Sequence, residues 1–207
     1  MTGFTAFATL RCCCYGCDAG GGNLAKKVTL AKCHRPIYPT PAALVTSVSV
    51  DGRPNIITLG EVFNISIESP VILGIAVRPQ RYSYELISAT GEFVVNLPTT
   101  EIADKVTMCG RCSGRRVDKF ALTGLTPLPA KFVKAPLIAE CPVNVECRVL
   151  GITRIGDHDL FTGEALAQHV DDDILRPDGS IDPGRLRAFA FMLGEYHVIG
   201  ERLPGEG

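Results

Sequence analysis

Between residues 78 and 84 the chain reads Arg-Pro-Gln-Arg-Tyr-Ser-Tyr. The segment follows an apolar run, Val71 to Val77, and leads into a helical stretch that begins near Ser83. A helix N-terminus presents unpaired N–H groups and a partial positive charge, so it attracts phosphate. Arg78, Arg81, Tyr82 and Ser83 therefore read as a cradle for the phosphate of a bound cofactor. The competing reading is ordinary: arginines at helix starts are often solvated charge. A second basic loop, Ser113-Gly-Arg-Arg-Val-Asp-Lys119, adds weight to the cradle. Ser113 and Gly114 suit a tight anion-holding turn, and Arg115 and Lys119 add charge.

A third segment, Asn55-Ile-Ile-Thr-Leu-Gly60, places Thr58 beside Gly60 on a strand. Glycine has no Cβ, so a flat ligand can lie against that backbone; a barrel strand bending at a glycine gives the same pattern. Cys109-Gly-Arg-Cys112 has the spacing of a redox pair, and equally fits two unrelated thiols near a loop. Cys141 and Cys147 do not supply the second pair of a common zinc finger, so no metal is expected. His158, between Asp157 and Asp159, is either a proton-poising group or a solvated turn residue. No paired carboxylates, Ser-His-Asp set or metalloprotease helix is visible.

Composition narrows the field. The formal net charge of -1 argues against non-specific nucleic-acid binding, which needs a basic surface. No apolar run approaches the roughly 20 residues of a membrane helix, and the start lacks a signal-peptide pattern. A soluble, cytoplasmic protein is expected. Nine cysteines form an odd count without a secretion signal, which argues for reduced thiols over a disulfide framework. Tryptophan is absent, so stacking must come from Phe or Tyr.

The elements that would position these groups are mostly strands. Residues 1–25, with Cys12-Cys-Cys-Tyr-Gly-Cys17 and a glycine run, read as a flexible extension, and 26–207 as one domain. Ala43 to Val50 alternates, with Leu44, Val48 and Val50 on one face and Ser47 and Ser49 on the other. Asp51-Gly-Arg-Pro54 turns it into a hairpin with Asn55 to Phe63. Val71 to Val77 reads as a strand buried on both faces, followed by a helix over about Tyr82 to Ser88 and a strand over Glu92 to Leu97. Thr100 is the expected N-cap of a helix closed by Gly110. Residues 113–120 read as an irregular loop. Val143 to Val149 alternates as a strand with one wet face, and Leu160 to Val170 is its hairpin partner. A polar loop over 171–184 and one or two strands over 188–199 finish the chain. Strands joined by local turns favour a mainly β fold, a small Greek-key barrel with short helices outside it.

The ordered set of segments resembles the flavin reductase-like, flavoredoxin-type family. Tyr38 to Thr46, Asn55 to Phe63, Arg78 to Ile87, Gly91 to Pro98, Cys109 to Arg115, Val117 to Phe120 and Gly156 to Phe161 carry the likeness, over roughly residues 36 to 200. The resemblance implies a split β-barrel homodimer that binds FMN non-covalently near the subunit interface, with NAD(P)H as electron donor. It implies a cofactor-binding set of Thr46, Ile57, Thr58, Leu59, Gly60, Arg78, Arg81, Tyr82, Ser83, Ser113, Gly114, Lys119 and Phe120. Thr58 to Gly60 would lie along the ring, Arg81 to Ser83 would bind the phosphate, and the Ser113 to Phe120 loop would close over it. The electron acceptor is a flavin, a ferric complex or a redox protein; the alternative is an FMN electron carrier that does not oxidise NAD(P)H. Glu61-Val62-Phe63 departs from the family pattern, and the cysteine-rich start has no counterpart in it.

Overall fold

The computed structural model describes residues 25–33 and 36–204. The chain divides into two units, Met1–His34 and Arg35–Gly207, and every element named below lies in the second. The expected extension over 1–25, with Cys12 to Cys17, lies outside the described residues but for Ala25.

β1 (Thr40–Pro41) is short, and β2 (Ala43–Val48) and β3 (Pro54–Leu59) form the expected hairpin. β4 (Val62–Ser66) pairs with β5 (Ile72–Val77). α1 (Tyr82–Thr90) ends on Gly91, left-handed at φ 71°, and leads into β6 (Glu92–Leu97). A 3₁₀ turn at Thr100–Ile102 precedes α2 (Ala103–Arg111), and α3 (Lys119–Thr123) follows. β7 (Pro127–Leu128) pairs with β8 (Leu137–Ile138). A long hairpin joins β9 (Val143–Ile155) and β10 (His158–Val170). α4 (Pro183–Leu186) precedes a last hairpin of β11 (Phe189–Met192) and β12 (Glu195–Val198), and β11 also pairs with β1.

Seven strands make one antiparallel sheet in the order β3-β2-β6-β9-β10-β5-β4. The sheet curls around an apolar interior of Val45, Ile75, Phe93, Cys147 and Phe161, contributed by strands far apart in that order. Its end strands, β3 and β4, form no ladder with each other among the described residues, so the barrel is split there. A second cluster lies outside it: Leu44 and Ile56 pack under Val106, Cys109 and Phe120 of α2 and α3. The mainly β split barrel with peripheral short helices is the architecture the sequence implies.

Several local expectations change. The one strand expected over Asn55 to Phe63 is two, β3 and β4, at opposite ends of the sheet. Leu44 and Val48 are buried as expected, but Ser47 and Ser49 are buried too, and Val50, beyond the end of β2, is exposed. β2 lies between β3 and β6 with α1 and α2 packed on it, so it has no wet side. The wet face expected over Val143 to Val149 narrows to Arg148, because the 131–138 segment covers Asn144 and Glu146. Buried Glu146 accepts backbone N–H bonds from Lys131 (2.8 Å), Phe132 (2.6 Å) and Val133 (3.0 Å), and meets His169 Nε2 at 2.6 Å. Burial pushes this carboxyl up, but these hydrogen bonds outweigh it and hold the group below its ordinary value. Asn144 donates to Asn96 and to the Ile138 carbonyl under the same cover. Finally, α2 runs through Gly110 to Arg111, and part of the expected 113–120 loop is α3, whose N-cap Asp118 accepts from Ala121 N at 3.1 Å.

Candidate functional site

A cleft of about 400 Å³ opens where β3, the start of α1 and the α2–α3 connection meet. β3 contributes Asn55 and Ile57. The start of α1 contributes Arg81, Tyr82 and Ser83, and the connection contributes residues from Cys109 to Lys119. The two basic turns, 30 residues apart in sequence, thus face one space.

Three sets of bonds hold them there. Arg115 reaches away from the cleft, 2.8 Å from Glu85 of α1, with its guanidinium 4.8 Å over the Tyr82 ring. Its charge ties the loop to α1, and neighbouring Arg116 is the loop guanidinium that lines the cleft. Lys119 is buried and donates to two carbonyls, Ile56 at 2.7 Å and Cys109 at 2.6 Å. Burial lowers the pKa of its ammonium, and Arg81 adds to that. Lys119 therefore clamps the end of α2 to the outer edge of β3. Asn55 Nδ2 donates to Ser83 Oγ at 2.8 Å, which fixes the first turn of α1 against β3.

Two features point to a ligand. Asn55 Oδ1 is buried with no hydrogen-bond partner among the described residues. A buried acceptor left unpaired costs about 1–3 kcal/mol, and a ligand hydroxyl would satisfy it. Gly114 packs so tightly that a Cβ there would stand 1.9 Å from Asn55 Oδ1. A side chain at that position would fill the cradle. Hydroxyls at Ser83 and Ser113, guanidiniums at Arg81 and Arg116, and the open first turn of α1 suit a phosphate.

Of the expected set, Ile57, Arg81, Tyr82, Ser83, Ser113, Gly114 and Lys119 come together here. Four other expected residues lie outside this cleft. Arg78 stands elsewhere: it binds Asp157 at 2.7 Å, and its Nε lies 3.4 Å from His158 Nε2. The cause is register, since Val77 pairs with Asp159 and brings Arg78 onto the β9–β10 turn. His158 sits in that exposed cluster, 2.8 Å from Asp157, away from the cleft. Thr46 is fully buried, its hydroxyl donating to the Pro136 carbonyl at 2.5 Å. Phe120 is core packing behind the site.

Thr58, Leu59 and Gly60 line a smaller cleft of about 110 Å³ with Ala42, Glu61, Phe191 and Tyr196. The Thr58 hydroxyl is committed to the Val106 carbonyl at 2.7 Å. A Cβ at Gly60 would meet Thr40 Oγ1 at 2.9 Å, so this glycine admits β1. The backbone still links the two clefts. In an antiparallel ladder the N–H and C=O of one residue point the same way. Ile56 turns its carbonyl to Lys119, so its N–H, and both groups of Thr58 two residues on, face the same outer edge.

Sequence reasoning passed over Asn55 and Arg116. A polar residue opening an apolar strand, Asn55 before Ile56 and Ile57, is a usable signal for Asn55. Nothing in the sequence separates Arg115 from Arg116; the turn alone decides which faces inward.

Residues 34–192 match the flavin reductase like domain. An uncharacterised protein of Archaeoglobus fulgidus is 40% identical over 146 residues, covering 70% of this chain and 80% of that one. The NADH:riboflavin 5'-phosphate oxidoreductase of Streptomyces pristinaespiralis is 28% identical over 125 residues, covering 60% of this chain and 67% of that one. Flavoredoxin of Desulfovibrio vulgaris (Miyazaki F) superposes with a TM-score of 0.80 at 31% identity, covering 87% of this chain and 97% of that one. With the barrel, the cleft and the family match in agreement, the chain belongs to the flavin reductase-like family.

Proposed function

We propose that the chain binds FMN in this cleft and acts as an oxidoreductase, accepting electrons from NAD(P)H and passing them to a flavin, ferric or redox-protein acceptor. The observation that carries the reading is the buried, unpartnered Asn55 Oδ1 set between two basic turns. Arg81, Ser83, Ser113 and Arg116 would hold the phosphate, and Asn55 would accept from a ribityl hydroxyl. The outer edge of β3 from Ile56 to Gly60 would offer backbone groups to the ring. Bound flavin supplies hydride and single-electron chemistry. The protein's part is position and charge, which agrees with a cleft that holds no paired general acid and base among its described lining. The likeness to an NADH:riboflavin 5'-phosphate oxidoreductase supports the donor.

The flavoredoxin likeness favours a second reading, an FMN carrier that exchanges electrons with protein partners only. Exposed apolar residues on the sheet-end strand, Phe63 and Ile65, with Ile67 beyond it, support a homodimer. No helix among the described residues is long and apolar enough to cross a membrane, and we place the protein in the cytoplasm. Anaerobic mixing of the FMN-loaded protein with NADH and NADPH separates the readings. Rapid bleaching of the flavin supports the oxidoreductase, and indifference to both nicotinamides supports the carrier. A protein that stays colourless after FMN is added defeats both.

A further inference from the structure

Cys109 and Cys112 share one wall of the cleft, and the anion cradle makes no use of their thiols. Both are free. Cys109 lies in the last turn of α2, buried against Val106 and Phe120. Cys112 is the partly exposed residue just beyond the helix, in extended backbone, with its Sγ 3.2 Å from the Met108 carbonyl. The buried ammonium of Lys119 bonds the Cys109 carbonyl at 2.6 Å. Burial pushes the Cys109 thiol up to about 11, with Lys119 opposing. Cys112 is thus the accessible sulfur and Cys109 the shielded one.

We propose that Cys109 and Cys112 form a reversible dithiol–disulfide pair, a modification site for low-molecular-weight disulfides whose oxidation opens the anion cradle and weakens cofactor binding. The ligand named here rests on the FMN reading; the thiol chemistry does not. The Cys112 thiolate attacks RSSR, forming a Cys112–SR bond and releasing RS⁻, which takes up a proton. Cys109 then gives its proton to solvent, attacks the Cys112 sulfur and expels the second RS⁻. Two protein thiols become one disulfide, and one RSSR becomes two RSH.

The geometry couples this step to the cleft. A disulfide needs its Cβ atoms about 3.8 Å apart. Cys109 faces the core, while Cys112 leaves the helix extended, so joining them rewinds the end of α2. That segment carries Gly110, Ser113 and Gly114, all lining the cleft, and Gly114 is packed against Asn55. The coupling is reciprocal: a bound anion must shift the thiol–disulfide equilibrium toward the dithiol by the same factor.

The test uses the full chain, reduced or equilibrated with glutathione disulfide. Tryptic digestion followed by mass spectrometry reads the crosslink, and FMN titration reads the affinity. The expected product is Val106–Arg111 joined to Cys112–Arg115. FMN should bind about tenfold more weakly to the oxidised protein, within the usual range of coupling between sites. In C112S the ratio of oxidised to reduced affinity should collapse to one, and saturating FMN should lower the crosslinked fraction of the wild type at a fixed ratio of glutathione disulfide to glutathione. Absence of the 109–112 crosslink, or a crosslinked protein that binds FMN as tightly as the reduced one, overturns the proposal. A reduced protein that ignores FMN overturns the cofactor reading and the affinity change built on it, while the crosslink map, read without flavin, still decides the dithiol pair.

Discussion

Replacing Gly114 with alanine should damage both the fold and the cleft. The new Cβ would stand 1.9 Å from Asn55 Oδ1, 2.7 Å from its Cγ and 3.2 Å from Tyr82 Cδ1. Ordinary contact begins near 3.4 Å, so Asn55 or the loop must yield by about 1.5 Å. Asn55 has nowhere to go: it is 4% exposed, held on β3 and bonded to Ser83. Overpacking of this kind costs about 1–3 kcal/mol. For a domain of this size that is a fall in Tm of roughly 2–12 °C. The displaced amide or loop also intrudes on the cradle, so FMN affinity should fall by about tenfold or more, close to 1.4 kcal/mol. Thermal denaturation of the flavin-free protein and flavin fluorescence titration read the two effects separately. A Gly114→Ala protein with wild-type Tm and wild-type FMN affinity would refute the reasoning.

Other substitutions separate the residues gathered at the cleft from those the fold moves away. Arg81→Ala should weaken FMN binding by roughly 10- to 100-fold, the worth of a charge-assisted hydrogen bond, whereas Arg78→Ala should change it by less than about threefold. Equal losses in the two titrations would contradict the assignment. Thr46→Val strands the Pro136 carbonyl and should cost about 1–2 kcal/mol in urea unfolding while leaving FMN affinity alone. Glu146 carries a pH signature. Its folded pKa lies below the ordinary 4.5, so its contribution is present above that value and is lost as pH falls through the folded value. Glu146→Ala should cost about 2–4 kcal/mol at neutral pH and flatten the acid limb of the stability profile; an unchanged limb would count against the role.

Most strands, two hairpins and the two basic turns were legible because hairpin turns, a helix cap and clustered charge are local signals, whereas the β2–β6 and β5–β10 pairings join strands far apart in the chain. The glycine after α1 and the hairpin at Asp51–Pro54 need no tertiary knowledge. Burial supplied by other segments could not be read. Asn144 and Glu146 look wet until the 131–138 segment lies over them, and Ser47 looks wet until helices pack on β2. Charge was legible as composition but not as direction. Arg78 and Arg81 are three residues apart, yet strand register sends one to the β9–β10 turn and leaves the other at the cleft. Gly60 shows the same limit, since its missing Cβ makes room for Thr40 of the chain itself.

The central claim is that the two basic turns hold the phosphate of FMN against β3. A crystal structure of the protein with FMN tests it directly. The account predicts a phosphate within hydrogen-bond reach of Ser83 and Arg81, and a ligand hydroxyl donating to Asn55 Oδ1. FMN found elsewhere, with Asn55 still unpartnered between Ser83 and Gly114, would contradict it.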